Sequence, residues 1–393
     1  MKILEVSAVG YIDGGIETGL VLSKSLLEKR GHEVRILASD LRPDLPHFDQ
    51  YSYKRPTSLV GKFAYSFNPY AYRELKRVLE EFRPDVVNIH SVDHASPSIF
   101  FALRKWPTVL MVHGPEPFVD GLVLWCFPES NFRHGRREVS DLTFVGWLRY
   151  IYHLCINRPL YRLGLRRVDK IVTLSHYMHD LLEREGLHNE YVPNGTILFP
   201  HSPLRPEEMA NTLAFVGRLE SYKGVDYLLE AMPTIRAKFP DVRLLLAGGG
   251  EERANLEALT QRLGLGDTVA FLGRLDRAEL EKLYQRAAMV VVPSTYPEAF
   301  GKIGVEAMSV GRPVVATDVG GIHEWLHDGK NGLLVPPANA PALAEAIVKL
   351  LADRELYARM AARARETVEQ FDLENHVTLM EKIYSRVIRL KKQ

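Results

Sequence analysis

The sequence has few cysteines, no long apolar run and almost no net charge. Its 393 residues include two cysteines, Cys126 and Cys155, too few for a disulfide framework, so we expect a protein of a reducing compartment. No stretch of about 18 apolar residues occurs, which argues against a transmembrane helix. The 50 Lys and Arg balance 49 Asp and Glu, and no nucleic-acid-binding motif appears. We therefore expect no nucleic-acid partner.

The amino terminus, MKILEVSAVG, holds one Lys and a short apolar run that Glu5 interrupts. The apolar core of a secretory signal does not follow, so we expect this run to be a first buried strand. With no membrane-spanning segment either, the sequence predicts a cytoplasmic protein, with contact at the inner membrane surface as an option. The length predicts more than one domain.

Short apolar runs alternate with longer helical patterns along the chain. The runs cover residues 3–8, 34–38, 86–90, 109–113, 170–174, 191–193, 213–217, 242–248, 269–273, 289–293, 314–317 and 332–335. Strands that are apolar throughout and alternate with helices indicate parallel sheets covered on both faces. Because the pattern begins anew near residue 212, we predict an α/β protein of two doubly wound, Rossmann-like domains joined around residues 195–211.

The segment 115–167 breaks this alternation. Residues 130–170 contain nine Arg or Lys and three Asp or Glu, together with many aromatic residues. One interpretation is an inserted helical hairpin that packs on the N-terminal domain. Another is a surface for an anionic acceptor or for the headgroups of an anionic membrane, and the two are compatible.

Doubly wound sheets bind ligands at the carboxyl ends of their strands, and the candidate motifs fall there. The first motif runs from Gly10 to Gly19 and includes Gly14 and Gly15, directly after the first strand. Glycines let backbone amides approach a ligand, and the following helix N-terminus favours an anion. A tight strand-to-helix turn without a ligand is the alternative.

The second motif places Arg218 and Lys223 between a strand and a helix. A guanidinium fork and an ammonium point charge can together neutralise a diphosphate. A solvated pair of cations is the alternative interpretation.

The third motif is the densest and runs from Pro293 to Met308. Glu298 follows a strand, and Phe300, Gly301 and Lys302 begin a helix whose first backbone N–H groups lack intrahelical acceptors. Glu306 lies eight residues after Glu298, or about two helical turns, on an otherwise apolar helix face. A carboxylate there could accept hydrogen bonds from two vicinal hydroxyls, such as those of a ribose, whereas a buried Glu without partners would be costly.

These motifs resemble the large GT-B family of retaining glycosyltransferases often called family 4. The resemblance spans nearly the whole chain and is weakest across residues 115–167. The motifs that carry it are Gly14-Gly15-Ile-Glu17, Arg30-Gly-His-Glu-Val34, His113-Gly114, Val192-Pro-Asn-Gly195, Val216-Gly-Arg218, Lys223-Gly224, Leu246-Ala-Gly-Gly-Gly250, Phe271-Leu-Gly-Arg274, the Glu298 to Glu306 block, Gly311-Arg-Pro-Val-Val315 and Gly320-Gly321.

The resemblance implies a GT-B architecture whose two domains face each other across a cleft. Residues 1–200, with a C-terminal helix from about 373 to 393 packing back on them, would form the acceptor-side domain. Residues 201–372 would bind a nucleotide-diphosphate sugar as donor substrate. The acceptor would be a glycan, a lipid-linked glycan or a small molecule.

Site roles follow from the same resemblance. Arg218 and Lys223 would hold the donor diphosphate, Glu298 the transferred sugar and Glu306 the ribose. His113 would face the anomeric centre or the primary hydroxyl of the sugar. The remaining donor-binding positions would be Gly14, Gly15, Gly248, Arg274, Leu275, Phe300, Gly301 and Lys302.

No cofactor is expected, because the family usually works without an essential metal and no Asp-x-Asp motif occurs. Some members that modify surface polysaccharides carry several cysteines after the His-Gly position. Here Cys126 has only Cys155 downstream, and two cysteines cannot close a four-ligand zinc site, so we predict no metal there.

Three other functions compete with glycosyl transfer. A nicotinamide dehydrogenase shares the doubly wound sheet, but the G-x-G-x-x-G fingerprint is missing. A GT-B sugar phosphorylase or nucleotide-sugar epimerase shares the architecture. A non-catalytic protein that binds sugar nucleotides would be expected to lose Arg218, Lys223 or Glu298, and all three are present.

Overall fold

The computed structural model describes residues 1–12, 14–40, 47–48, 50–54, 67–90, 96–115, 143–202 and 211–393. These residues fall into two compact units. Unit 1 comprises the described residues of Met1–Phe127, Leu142–Gly195 and Leu373–Gln393, and unit 2 comprises those of Thr196–Asp372.

Unit 1 is built on a seven-stranded parallel sheet with the order β3-β2-β1-β4-β5-β6-β7. Its strands are β1 (Lys2–Val6), β2 (Glu33–Ser39), β3 (Tyr51–Tyr53), β4 (Val86–Ile89), β5 (Thr108–Val112), β6 (Lys170–Thr173) and β7 (Glu190–Tyr191). Its helices include α1 (Gly15–Lys29), α2 (Pro69–Phe82), α3 (Phe144–Tyr152), α4 (Arg158–Leu165) and α5 (His176–Arg184).

Unit 2 repeats this plan with a six-stranded parallel sheet of order β10-β9-β8-β11-β12-β13. The strands are β8 (Thr212–Val216), β9 (Arg243–Ala247), β10 (Val269–Gly273), β11 (Met289–Val292), β12 (Val314–Thr317) and β13 (Gly332–Val335). The helices are α6 (Val225–Lys238), α7 (Arg253–Arg262), α8 (Arg277–Arg286), α9 (Lys302–Ser309), α10 (Ala340–Ala352) and α11 (Arg354–Val368).

Alternation along the strands explains why the unit 2 sheet is covered on both faces. Met289 and Val291 of β11 belong to one apolar core, with α6 and α10, whereas Val290 and Val292 belong to a second core, with α8 and α9. Successive side chains of a strand point to opposite faces, so a run that is apolar at every position requires helices on both.

The predicted α/β class with two doubly wound domains is confirmed. Each of the twelve apolar runs overlaps a strand of the structure. The apolar runs did not predict β3, a three-residue strand at the edge of the unit 1 sheet that pairs with β2. An edge strand this short has no continuous apolar run to reveal it.

The chain returns to unit 1 through its last helix, α12 (Leu373–Lys391). Arg30 forms ion pairs with Glu374 and Glu381 of α12, and His32 Nε2 lies 2.6 Å from Glu381 Oε1. Two residues of the Arg30-Gly-His-Glu-Val34 motif therefore hold the C-terminal helix against the sheet.

The irregular segment is described from residue 143 onwards, and its first part, with Cys126, Arg133, Arg136 and Arg137, lies outside the described residues. From Phe144 to Leu165 the chain is helical throughout, with a π-helical stretch at His153–Asn157 between α3 and α4. No helix of the described chain is long and apolar enough to span a membrane.

Candidate functional site

Both sheets have a topological switch point, where the strands on either side connect in opposite directions. In unit 2 it lies between β8 and β11, and in unit 1 between β1 and β4. Ligands of open α/β sheets bind beyond the carboxyl ends of the strands at such points. Gly217 and Arg218 follow β8 directly, and Pro293 and Ser294 follow β11.

Glu298 is the centre of the polar cluster at the unit 2 switch point. Its Oε1 accepts hydrogen bonds from Lys223 Nζ at 2.6 Å and from Ser294 Oγ at 2.6 Å. Burial by itself raises the pKa of Glu298, but the charge and hydrogen bond of Lys223, the Ser294 hydroxyl and the charge of Arg218 outweigh it and lower the pKa. The carboxylate is therefore held ionised beside two cations.

Tyr222 lies beneath both of these cations. Its hydroxyl accepts a hydrogen bond from Arg218 Nη2, and its ring centroid lies 5.8 Å from the Arg218 guanidinium carbon and 5.5 Å from Lys223 Nζ. Thr295 N in turn donates to the Tyr222 carbonyl at 2.9 Å. The short 3-10 helix Ser221–Lys223 is thereby tied to the loop after β11.

Glycines allow the loops of this site to approach each other. A Cβ at Gly224, where φ is +65°, would lie 2.0 Å from the Pro293 carbonyl oxygen. A Cβ at Gly248 would lie 1.8 Å from the Gly217 carbonyl oxygen. These distances are far below contact, so Gly248 has a packing role whether or not it touches a ligand.

The turn before α9 presents backbone rather than side chains. Phe300 is buried, with its ring 5.1 Å from that of Phe371, and its carbonyl accepts a hydrogen bond from Trp325 Nε1 at 2.6 Å. Gly301 caps α9 with a left-handed φ of +83°, and Lys302 is the first helical residue. The first N–H groups of a helix are donors without intrahelical partners, so this turn suits an anion.

Glu306 of α9 has protein partners. Tyr284 Oη donates to its Oε2 at 2.9 Å, and Thr196 Oγ1 donates to its Oε1 at 3.4 Å. Burial raises the pKa of Glu306, opposed by the Tyr284 hydrogen bond and by the charges of Lys302 and Arg277. The carboxylate is thus oriented before any ligand arrives, and these two hydroxyls were not foreseen from the sequence.

Arg274 and Leu275 follow β10, the edge strand two positions from β8. Arg274 is exposed, while Leu275 packs against the buried core of unit 2. The structure brings Arg218, Lys223 and Glu298 into one cluster.

The glycines of the first motif form the entrance to α1 in unit 1. Gly14 caps the helix, and its N–H donates to Glu17 Oε2 at 3.0 Å. Both Gly14 and Gly15 are exposed, whereas Glu17 is buried. Glu17, to which the sequence assigned no role of its own, therefore completes the cap.

His113 follows β5 and belongs to a buried polar chain in unit 1. Its Nε2 lies 2.9 Å from His90 Nδ1, and His90 Nε2 lies 2.8 Å from Glu5 Oε2. Asn88 Nδ2 donates to the same Glu5 oxygen at 2.8 Å. Glu5, Asn88 and His90 were not predicted as site residues, although a polar residue inside or at the end of an apolar run is a signal that could have indicated them.

Arg312, from the Gly311-Arg-Pro-Val-Val315 motif, has a structural role in unit 2. Its side chain is fully buried, and it donates to the carbonyls of Ser202 at 2.6 Å, Val310 at 3.2 Å and Gln285 at 2.6 Å. Burial lowers its pKa. Across the described residues, no three His, Cys, Asp or Glu side chains converge in a way that could hold a metal ion.

Solved structures with the same architecture define the class of this fold. Sucrose-phosphate synthase from Thermosynechococcus elongatus superposes with a TM-score of 0.78 at 23% identity, covering 99% of this chain and all of that one. Anabaena HepE in complex with UDP-glucose superposes with a TM-score of 0.71 at 21% identity, covering 98% of this chain and 100% of that one. The fold is GT-B.

Family models name the group within this class. The model "Glycosyltransferase Family 4" matches residues 13–198, and "Glycosyl transferases group 1" matches residues 200–367. A phosphatidyl-myo-inositol mannosyltransferase of Mycolicibacterium smegmatis is 29% identical over 375 residues, which cover 92% of this chain and 87% of the relative. The chain belongs to the group 1, family 4 glycosyltransferases, as the motifs predicted, and it is a glycosyltransferase.

Proposed function

We propose that this glycosyltransferase transfers a sugar with retention of anomeric configuration from a nucleotide diphosphate donor held mainly by unit 2. The observation that supports this most directly is the pairing of Lys223 with the buried, ionised Glu298 beside Arg218 at the switch point of β8 and β11. The UDP-glucose complex of Anabaena HepE, which has the same fold, makes a nucleotide sugar the natural donor class.

The contacts of the cluster suggest a division of labour. Arg218 and Lys223 neutralise the diphosphate and stabilise the leaving group. The backbone of Phe300, Gly301 and Lys302 donates to the phosphates or the sugar. Glu298 accepts from hydroxyls of the transferred sugar.

A separate set of residues binds the nucleoside. Glu306, oriented by Tyr284, accepts from the ribose, and Arg274 and Leu275 flank the base, with Gly248 shaping the loop beside them. In unit 1, Gly14 and Gly15 are the proposed diphosphate contacts, and His113 is the proposed sugar contact.

A same-face attack fits this cluster better than a double displacement. A double displacement needs a carboxylate nucleophile at the anomeric carbon. Glu298 is engaged by Lys223 and Ser294 through the same oxygen, which suits a role in orienting hydroxyls. In the same-face reaction the departing phosphate takes the proton of the acceptor, so the protein contributes position and charge.

The decisive experiment is a screen of nucleotide-diphosphate sugars for donor hydrolysis and for transfer to candidate acceptors. We expect release of the nucleoside diphosphate with one or a few donors, and transfer to a product whose anomeric configuration, read by proton NMR, equals that of the donor. An inverted product would contradict the retaining mechanism. Turnover that needs inorganic phosphate as the acceptor would identify a phosphorylase instead, and a changed donor epimer without transfer would identify an epimerase.

The acceptor is proposed to be lipid-linked, because α3 presents an apolar face to solvent. The exposed fractions are 74% for Phe144, 45% for Trp147 and 48% for Leu148. The structure thus leaves these three side chains in solvent and does not bury them in a core. A helix with exposed aromatic and aliphatic residues suits the interface of a bilayer.

The basic residues of the same region contribute less than their number suggests. Arg158 and Arg162 both pair with Glu185, and Lys170 pairs with Glu190. We therefore propose a membrane contact driven by apolar insertion of α3, with an anionic lipid preference as a weaker contribution.

Co-sedimentation with phosphatidylcholine vesicles, with and without anionic phosphatidylglycerol, tests this contact. Binding should drop at least tenfold when Trp147 and Leu148 are both replaced by Ser, and it should survive moderate salt. Leu272→Ser in unit 2, where the side chain is 40% exposed, is the matched control and should bind like the parent. No binding to either kind of vesicle would favour an acceptor free in solution.

A further inference from the structure

Tyr222 lies beneath the two cations of the unit 2 cluster, although none of the predicted site roles falls on it. It is 7% exposed, whereas Arg218, four residues earlier, is exposed. The Arg218 guanidinium carbon lies 5.8 Å and Lys223 Nζ lies 5.5 Å from the centroid of the Tyr222 ring. One buried ring therefore supports both cations.

The ring helps to hold two like charges in one place. Two cations that share a site repel each other unless their charges are offset. Glu298 offsets part of the charge through its ion pair with Lys223 at 2.6 Å. The face of an aromatic ring carries negative charge density, so the Tyr222 ring attracts both cations as well. An aliphatic side chain in its place would attract neither of them.

The hydroxyl of Tyr222 adds a directed contact to this attraction, because it accepts a hydrogen bond from Arg218 Nη2. The donors of a guanidinium lie in one rigid plane, so a hydrogen bond to Nη2 restricts the orientation of the whole group while its charge is kept. Ordering a long exposed side chain costs conformational entropy, and a side chain that is ordered before the ligand arrives loses less of it on binding.

Tyr222 is itself fixed by the loop after β11. Its carbonyl accepts from Thr295 N at 2.9 Å and from Thr295 Oγ1 at 3.3 Å. Its ring meets that of Tyr296 edge-to-face, with the centroids 5.9 Å apart. Thr295 and Tyr296 precede Glu298 in the same loop. The loop that carries Glu298 therefore also fixes the residue that holds Arg218.

We propose that Tyr222 is a positioning residue of the donor site, which holds Arg218 in the orientation that binds the diphosphate of the nucleotide sugar. The hydroxyl orients the guanidinium, and the ring stabilises Arg218 and Lys223 beside each other. The role in binding rests on the function proposed above, whereas the ordering of Arg218 is a property of the free protein.

Tyr222→Phe removes the hydroxyl and keeps the ring with its contact to Tyr296. Calorimetry with UDP, GDP, ADP, CDP and dTDP finds the nucleoside diphosphate that the parent binds most tightly, and this compound and its monophosphate are the probes. Tyr222→Phe should lower the affinity for the diphosphate about fivefold, on the scale of one net hydrogen bond. The affinity for the monophosphate should fall less, because Arg218 is assigned to the diphosphate, so the ratio of the two affinities should fall.

Tyr357→Phe is the matched control, because it removes another buried hydroxyl of unit 2, one that donates to the Ala288 carbonyl at 2.6 Å. Chemical denaturation measures the loss of stability in both variants, but only Tyr222→Phe should change the ratio of affinities. In an Arg218→Ala background, Tyr222→Phe should cause no further loss of diphosphate affinity, since the group that it orients is gone. A loss as large as in the parent background would show that the hydroxyl acts through the fold and would overturn the inference.

NMR of the free protein with ¹⁵N-labelled arginine tests the ordering without a ligand. The Arg218 signal is assigned by its absence in Arg218→Lys. Rotation of its guanidinium about the Nε–Cζ bond should be slow in the parent and in Tyr357→Phe, and several-fold faster in Tyr222→Phe. Equal rates in the parent and in Tyr222→Phe would overturn the positioning role.

The outcomes also separate this inference from the proposed function. If Arg218→Ala loses diphosphate affinity and Tyr222→Phe does not, Arg218 binds the diphosphate and Tyr222 does not position it. If Arg218→Ala binds the diphosphate like the parent, or the parent binds none of these nucleotides, the proposed diphosphate site is refuted. The NMR rates then still decide whether Tyr222 orders Arg218.

Discussion

The two sheets of this enzyme share one topology and differ in the chemistry at their switch points. In unit 2, Arg218 and Lys223 face one carboxylate, Glu298, so the cluster has two cations to one anion. In unit 1, Glu5 contacts one imidazole, that of His90, and the amide of Asn88, and His90 in turn contacts His113. The comparison teaches that the strand order fixes where polar residues gather, whereas the residue types decide whether the place suits a diphosphate or uncharged hydroxyls.

The two clusters also differ in the partners of their buried carboxyl groups. Glu298 has a full ion pair with Lys223 at 2.6 Å, whereas Glu5 relies on hydrogen bonds from Asn88 and His90. Removing a charge in unit 2 should therefore damage turnover more than removing one in unit 1, and this ordering can be measured.

The largest effect is expected from the cations of unit 2. Lys223→Ala or Arg218→Ala should lower turnover about 100-fold or more, because a group that stabilises the leaving diphosphate is lost. Lys223→Ala also leaves Glu298 without its ion-pair partner. Arg253→Ala removes an exposed cation paired with Glu257 in the same unit and should be nearly neutral. Near-normal turnover of either site variant with the true donor would show that Arg218 and Lys223 do not stabilise the leaving diphosphate.

The next effect separates the two glutamates of unit 2. Glu306→Ala should weaken binding of the free nucleoside diphosphate about tenfold, because the ribose contact exists with or without the sugar. Glu298→Ala should leave that affinity within about twofold and mainly impair transfer, since its partner is the sugar. Calorimetry on both variants measures the division, and equal losses of nucleotide affinity would show that the roles are assigned incorrectly.

A smaller effect tests how unit 1 depends on its C-terminal helix. Arg30→Ala removes the ion pairs with Glu374 and Glu381 of α12 and should lower the free energy of unfolding by about 1 kcal/mol, because these pairs are partly exposed and screened. Arg77→Ala, whose ion pairs lie within α2, is the matched control and should cost less. If both variants lose the same free energy of unfolding in chemical denaturation, the ion pairs to α12 stabilise unit 1 no more than ion pairs within a single helix do.

The smallest effect concerns pH and Glu306. Burial raises the pKa of this carboxyl above its ordinary value of 4.5, so protonation begins at a higher pH than for an exposed Glu. The ionised form accepts from the ribose, so nucleotide affinity of the parent should fall relative to Glu306→Gln as the pH is lowered through that raised pKa. The ratio of the two affinities should change a few-fold, and a ratio that stays constant from neutral pH down to 4.5 would contradict the raised pKa.

Much of the unit 2 site could be predicted from the sequence, because many of its residues are close together along the chain. Glu298, Phe300, Gly301, Lys302 and Glu306 lie within one strand-loop-helix segment, and their spacing alone places them at a sheet edge. The Tyr284 and Thr196 hydroxyls that orient Glu306 come from α8 and from the first residue of unit 2, and no local pattern connects them to it.

The sequence by itself determined the parallel α/β architecture, because strands that are apolar at every position can be buried only between two layers of helices. It also determined the cationic motif after β8 and the family. The tertiary structure decided which polar residues meet across strands. Glu5, His90 and His113 are separated by 85 and 23 positions and become neighbours only because β1, β4 and β5 lie side by side in parallel register. Sequence distance carries no information about such contacts, since the crossover helices set which strands pair.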